Sequence, residues 1–267
     1  NESAGKNWNG TARSCPVAAT LIAQYRMEDT IWNGTSGELK DTAGYTGGPF
    51  NGTAIGTPVP TPTLAAPAKS GSTGTCGYAT MPGPVGNGGA FSIPGLPVST
   101  VAGAKTSVAF WMYWNGAADT PVMPIGWNGH DLALSSGYFG FNTANTDVYG
   151  VASTGLTGWH HVVAVFTNGS VTSNELYIDG FRQTLTQRMG IPSNTNALVQ
   201  STLRIGGWER NTSYRITGRI DEVKVYNGAV TQAQVTALYS ETHDCAVVAE
   251  WRMDELAWNG TAGEVQD

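Results

Sequence analysis

The chain is short of charge. Asp, Glu, Lys and Arg make up 13% of its 267 residues, about half the share of an average soluble domain. The charge that is present leans acidic, to a net of -6, and no basic run or stripe occurs. Nucleic acid is therefore not an expected partner. No apolar stretch reaches the length of a membrane-spanning helix. The three cysteines, Cys15, Cys76 and Cys245, are too few for a disulfide scaffold and lack zinc spacing. The chain opens on Asn and carries no signal-peptide pattern, so a processed or excised form is expected. Catalytic signatures are missing too. There is no G-x-S-x-G, no P-loop, no H-E-x-x-H and no strand with carboxylates at alternate positions of the kind that flank a glycosidic bond. An enzyme is not expected.

Turn residues fill the space that charge leaves, with 35 glycines and 13 prolines. A neutral, turn-rich surface of this kind is common in secreted and cell-surface β proteins, and an extracellular location is expected. Seven N-x-S/T sequons occur, at Asn1, Asn9, Asn33, Asn51, Asn168, Asn211 and Asn259. Four belong to one recurring N-G-T turn, which turn chemistry alone explains. Asn168 and Asn211 stand apart from that turn and are the candidate glycan acceptors.

The chain also repeats itself. Residues 25–41 read YRMEDTIWNGTSGELKD and residues 251–267 read WRMDELAWNGTAGEVQD, with nine of seventeen positions identical. A separation of 226 residues between the copies is the size of a domain, not of a solenoid unit. Cys15 precedes the first copy and Cys245 the second. The N-terminus supplies the complementary piece: Trp8-Asn9-Gly10-Thr11-Ala12 parallels Phe50-Asn51-Gly52-Thr53-Ala54. The division expected is a partial repeat at 1–14, one domain at 15–243 and the start of a second repeat at 244–267. Two readings stand. The chain is a slice of a tandem-repeat protein, or a subunit that passes a split hairpin to an identical neighbour. In the second reading Val247, Val248, Trp251 and Met253 form an unpartnered strand that assembles head to tail. Cys15 and Cys76 are the expected intradomain disulfide, since Cys245 is the repeat equivalent of Cys15. Three free thiols are the alternative.

The periodicity is that of strands. Ser107–Trp114 and Trp159–Phe166 are apolar, aromatic runs suited to central strands. Glu175–Ile178 and Phe181–Thr184 flank an Asp179-Gly180 turn and predict a hairpin. Leu203–Ile205 and Arg219–Tyr226 follow. The prolines at 58, 60, 62 and 67 exclude a central strand. Only Thr231–Tyr239 reads as a helix, with Thr231 and Gln234 as a capping box. The expected fold is an all-β, two-sheet antiparallel jelly-roll sandwich with one short C-terminal helix.

The run WHHVVAVFTNGS…LYIDG, then LRIGG, then GRIDEVKVYNGAVTQAQVTALY resembles a LamG-like jelly roll of the concanavalin A-like lectin/glucanase superfamily. The tandem copies are similar to those of multi-domain bacterial surface proteins. The resemblance implies the fold more strongly than the function. It also implies a structural Ca²⁺ between the first hairpin and the last strand, held by Asp41, Asp221 and Glu28. Alternation along 219–226 adds to this by placing Asp221 with Val223 and Val225 on the core side, where a carboxylate needs a cation or several N–H donors. His160 and His161 are adjacent and face opposite ways, one satisfied inside and the other at the surface. Trp111 and Trp159 lie in apolar strands and read as core. Trp127 and Trp208 flank glycine-rich turns and are the candidate sugar platforms. The function expected is a non-enzymatic extracellular structural or adhesive module, a head-to-tail unit of a surface filament or repeat adhesin. A carbohydrate-binding module of a larger secreted protein, with glycans as partners, is the alternative.

Overall fold

Two antiparallel sheets pack face to face, and the computed structural model describes residues 19–63, 77–84, 88–116, 121–143, 145–208 and 214–241. In chain order the strands begin with β1 (Thr20–Tyr25), β2 (Thr53–Ile55), β3 (Thr61–Thr63), β4 (Tyr78–Pro82) and β5 (Ala90–Ile93). Next come β6 (Lys105–Trp114), β7 (Val122–Trp127), β8 (His130–Ser135), β9 (Tyr138–Asn142), β10 (Val148–Ala152) and β11 (Gly158–Thr167). The last are β12 (Glu175–Ile178), β13 (Phe181–Arg182), β14 (Thr186–Met189), β15 (Leu203–Ile205) and β16 (Thr217–Asn227), followed by α1 (Gln232–Tyr239). The first sheet runs β13-β12-β11-β6-β16-β4-β3, with β1 also paired to β16. The second runs β14-β10-β9-β8-β7-β15-β5-β2. The jelly-roll sandwich, and among the described residues its one short α-helix, are as the sequence predicts.

Alternation decides which side chains meet between the sheets. Phe110 and Met112 of β6, Val162 and Phe166 of β11, and Ile220 of β16 face inward from the first sheet. Phe91, Ile125, Leu132, Leu134, Phe139 and Phe141 answer them from the second. A smaller apolar layer lies on the outer side of the first sheet. There Val235 of α1 covers Ala109, Val163, Val165 and Tyr226. The helix starts as its sequence dictates: Thr231 Oγ1 accepts from Gln234 N at 3.2 Å, and Gln234 Oε1 accepts from Thr231 N at 2.9 Å. The Asp179-Gly180 turn has both residues at positive φ, 52° and 85°, the backbone of a type I′ hairpin. Pro62 sits in β3 at the sheet edge, where a missing N–H costs least.

The repeated W-N-G-T…E segment has a structural reason. Trp32 is buried edge-to-face against Phe91, with ring centroids 4.8 Å apart. Asn33 Oδ1 accepts from Thr35 N and Oγ1, closing the turn. The Glu38 carboxylate accepts from the N–H groups of Asn33, Gly34 and Ala54. These four roles explain why the same residues recur together. The second copy, with Val247, Val248, Trp251 and Met253, lies outside the described residues, as do Cys15, Cys76 and Asn211.

One register feature overturns an expectation. Between Asp221 and Lys224 the pairing of β16 with β6 shifts, and Glu222 takes a positive φ of 46°. The bulge breaks the two-residue alternation. Asp221 stands opposite Trp111, on the helix side of the sheet, whereas Val223 and Val225 remain in the core. Asp221 is therefore not on the core side. The bulge also buries Glu222 against Arg26, which it meets at 3.4 Å. Burial pushes the Glu222 carboxyl up to about 7, with Lys224 and Arg26 opposing the rise. An unfolded Glu titrates near about 4.3. Between these values the folded protein holds a proton that the unfolded chain has released. Stability therefore falls as pH rises through that window, by up to about 3 kcal/mol, and levels off above it. Glu222→Gln is expected to match the unsubstituted protein near pH 4 and exceed it at pH 8 in urea unfolding. A gap independent of pH would contradict this reading.

Candidate binding site on the outer face of the second sheet

Strand β8 reads His130-Asp131-Leu132-Ala133-Leu134-Ser135. Leu132 and Leu134 point into the core, so Asp131, Ala133 and Ser135 point away from it. Register carries this outward row across the sheet. Ser92 pairs with Arg204, Arg204 with Gly126, Gly126 with Asp131, and Asp131 with Asn142. The outer face of the second sheet is thus polar where its inner face is aromatic.

A cavity of about 80 Å³ opens on this face, walled by Met123, Ser135, Asn142, Asp147, Trp208 and Tyr214 among others. Trp208 and Tyr214 meet edge-to-face, with centroids 5.5 Å apart and both rings partly exposed. The volume is small beside the roughly 300–1,000 Å³ pockets that enclose drug-sized ligands. It admits one ring or its edge. Two of the lining residues carry a buried polar atom without a hydrogen-bond partner, Oδ2 of Asp147 and Nε1 of Trp208. On the same face, outside the lining, both oxygens of Asp131 are also unanswered. Burial, and then the Asp147 charge, raise the Asp131 carboxyl well above the ordinary carboxylate range. Burial and the neighbouring Arg204 lower Arg215.

Of the residues expected to bind sugar, Trp208 is at this site and Trp127 is not. Trp127 is 1% exposed, edge-to-face on Phe166 at 5.0 Å. The flanking glycine misleads here: Trp127 shares the inward parity of Ile125, and it is Gly126 that faces out. Asn168 is also corrected. It is 1% exposed, donates to Ser99 O and Val101 O, and accepts from Val199 N at 2.9 Å. A side chain spent on three backbone groups has no amide to offer a glycan. Trp159 proves half-buried rather than core, edge-to-face on Tyr78 and Tyr113, with Arg219 over both tyrosine rings. Trp111 is buried as expected, but beneath Tyr239 of the helix rather than between the sheets. His161 is the buried histidine, beside Trp111 under the same helix. His160, on the inward parity at the strand's open end, bonds Asp179 at 2.8 Å.

The residues expected to share a cation do not fit one. Asp41 Oδ1 accepts from Gln24 N and Ala43 N, and its Oδ2 from Phe50 N at 2.8 Å. Three N–H donors already answer this carboxylate, which ties the first hairpin to β1. Asp221 Oδ1 accepts from Glu222 N, at the bulge. Glu28 pairs with Arg26 at 3.1 Å. Among the described residues no three His, Cys, Asp or Glu side chains gather as metal ligands.

Asp131, Asn142, Asp147, Tyr214 and Arg215 were not marked by the sequence. The alternation of HDLALS was the available signal for Asp131. Asp147 and Tyr214 come from loops that only the fold brings to the sheet.

A family model described as the concanavalin A-like lectin/glucanases superfamily matches residues 85–236. The chain belongs to this superfamily. Among solved structures it is similar to domain 4 of AbnA, a GH43 extracellular arabinanase from Geobacillus stearothermophilus, solved in complex with arabinotriose. The identity is 20% and the TM-score 0.52, over 83% of this chain and 99% of that one. It is similar as well to the receptor-binding domain of botulinum neurotoxin C/D mosaic serotype, at 13% identity and TM-score 0.50. The botulinum neurotoxin serotype D binding domain aligns at 14% identity and TM-score 0.51. The match spans 82% of this chain but only 51% and 50% of those two. At these identities the likeness shows the fold. A search of curated proteins gives no match. Among the described residues no helix is long and apolar enough to cross a membrane.

Proposed function

We propose that this chain is a non-catalytic, extracellular carbohydrate-binding module, and that its sugar sits on the outer face of the second sheet beside Trp208 and Tyr214. The observation that carries this reading is the pairing of a partly exposed aromatic couple with buried, unanswered polar atoms in one cavity. A sugar ring has an apolar face for the aromatic rings and hydroxyls that both donate and accept. The hydroxyls would answer Asp147 Oδ2 and Trp208 Nε1, whose burial without a partner is otherwise costly. The superfamily, and an arabinanase domain of the same fold solved with arabinotriose, support a sugar as the ligand class. Arabinotriose and a panel of neutral cell-wall oligosaccharides, titrated calorimetrically, are the test. At least one should bind, and Trp208→Ala should weaken it by at least about tenfold without lowering the melting temperature. Binding that survives Trp208→Ala would remove the site.

The sequence repeat supports a second, compatible role. A second first-hairpin copy at 251–267 gives the module a means of joining identical units or neighbouring repeats, as in a surface filament or adhesin. The Cys15–Cys76 disulfide would then clip each unit, worth about 4 kcal/mol on the chain-entropy model. Deleting residues 246–267 should leave a folded monomer, while the full chain associates in a concentration-dependent way by light scattering. A full chain that stays monomeric at high concentration would remove this role.

A further inference from the structure

Helix α1 covers one part of the outer face of the first sheet. Its last ring, Tyr239, stands 5.9 Å from Trp111 and 6.0 Å from His161, centroid to centroid. Register carries the aromatic row onward. Trp111 pairs with His161, and two residues along the same strands Tyr113 pairs with Trp159. Tyr78 joins from β4, edge-to-face on Trp159 at 5.5 Å. Tyr113 and Trp159 are only half-buried, and the helix ends at Tyr239. A cation sits within this strip. Arg219 pairs with Tyr113 in register, and its guanidinium carbon lies 4.7 Å from the Tyr113 ring and 5.0 Å from the Tyr78 ring. That guanidinium makes no hydrogen bond or ion pair among the described residues. Its N–H donors are held over two rings without a protein acceptor. An aromatic strip with a fixed, unanswered cation is suited to a segment that brings apolar side chains and a carboxylate.

We infer that this strip seats the segment that follows α1 in the same chain, residues 244–251. Three arguments select it over other occupants. The first is reach. Glu241, the last described residue, is tied to this face by its ion pair with Lys224. An extended chain covers about 3.3 Å per residue, so residues 244–251 can lie up to roughly 10–33 Å beyond Glu241. The Tyr113–Trp159 pair lies only two residues, about 7 Å, past the row that Tyr239 covers. The second is composition. The segment reads DCAVVAEW, and when extended it sets Val247, Ala249 and Trp251 on one face, an apolar match for the rings. The third is charge. Residues 242–267 hold Asp244, Glu250, Asp254, Glu255, Glu264 and Asp267 against Arg252 alone. Asp244 and Glu250 fall within the segment and can answer Arg219. So short a tether also gives an effective concentration in the mM range, at which a modest contact area suffices. The inference goes beyond the repeat role proposed above. It fixes where the second copy leaves this domain, whether or not that copy pairs with a neighbour.

Trypsin tests this in the full chain. Arg252 is the one Lys or Arg after Lys224, so release of residues 253–267, followed by mass spectrometry, reports on this segment alone. At a concentration where light scattering shows a monomer, cleavage at Arg252 should be slow. Trp159→Ala and Arg219→Gln should each speed it by at least about tenfold, the effect of losing an anchoring contact. Val247→Asp, which alters the segment and not the strip, should do the same. Trp208→Ala, on the other sheet, should leave the rate unchanged. The inference is overturned if the three variants are cut no faster than the unsubstituted chain. It is equally overturned if protection appears only at concentrations where the chain associates, since the occupant is then a neighbour's segment. Loss of oligosaccharide binding in Trp159→Ala would overturn it too, since the strip would then be the sugar platform. Association that persists in Trp159→Ala, with Arg252 cut no faster, would remove this inference and leave the repeat role standing.

Discussion

Buried polar groups must find partners, and this constraint orders the whole structure. A chain with so little charge and so many turns has few ion pairs with which to fix its loops. It uses single buried Asn and Asp side chains instead. Asp41 takes three N–H groups and fastens the first hairpin to β1. Asn168 bonds to backbone at Ser99, Val101 and Val199 and so binds three loop segments together. Asp179 takes the N–H of His161 and the His160 ring. Asn174 caps Thr167 N and reaches the buried His130 ring, which burial holds down to about 3 and so keeps neutral.

Against that pattern the outer face of the second sheet stands out. There Asp131, Asp147 and Arg215 are buried, and Trp208 partly so, with polar atoms unanswered. The same chain that answers Asp41 and Asp179 leaves oxygens of Asp131 and Asp147 open on this face. Unmet burial is destabilising, so it is retained where a ligand or ion completes the bonding. The functional reading follows from this contrast. The fold supplies a polar outer sheet face, Trp208 and Tyr214 supply aromatic rings, and the unanswered atoms mark where a hydroxyl-rich ligand would complete the bonding.

Much of the fold was legible because it rests on local chemistry. The long apolar runs at 107–114 and 159–166 lie within β6 and β11, the Asp179-Gly180 turn and the capped helix form where their residues require, and Leu203–Ile205 is a strand at the predicted bounds. Faces were harder to read than elements. A single bulge at Asp221–Lys224 reverses the side on which Asp221 lies, and nothing in DEVKV announces a positive φ at Glu222. The outer helix buries His161 and Trp111 on a face that alternation alone assigns to solvent. The partial exposure of Trp208 was legible in its glycine-rich setting, yet the same rule misplaced Trp127, since a flanking glycine says nothing about parity. The acids of the site come from a strand and a loop joined only by register, so composition and spacing could not gather them.

The central claim is that ligand binds the outer face of the second sheet and not the aromatic strip of Tyr78, Tyr113 and Trp159 on the first. The nine tryptophans give nine indole N–H signals in an ¹⁵N-labelled protein, assignable by substitution. Titration with the tightest-binding oligosaccharide of the panel should move the Trp208 signal, whose N–H is buried without a partner, and leave those of Trp111, Trp127 and Trp159 in place. A spectrum in which Trp159 moves and Trp208 does not would contradict the account.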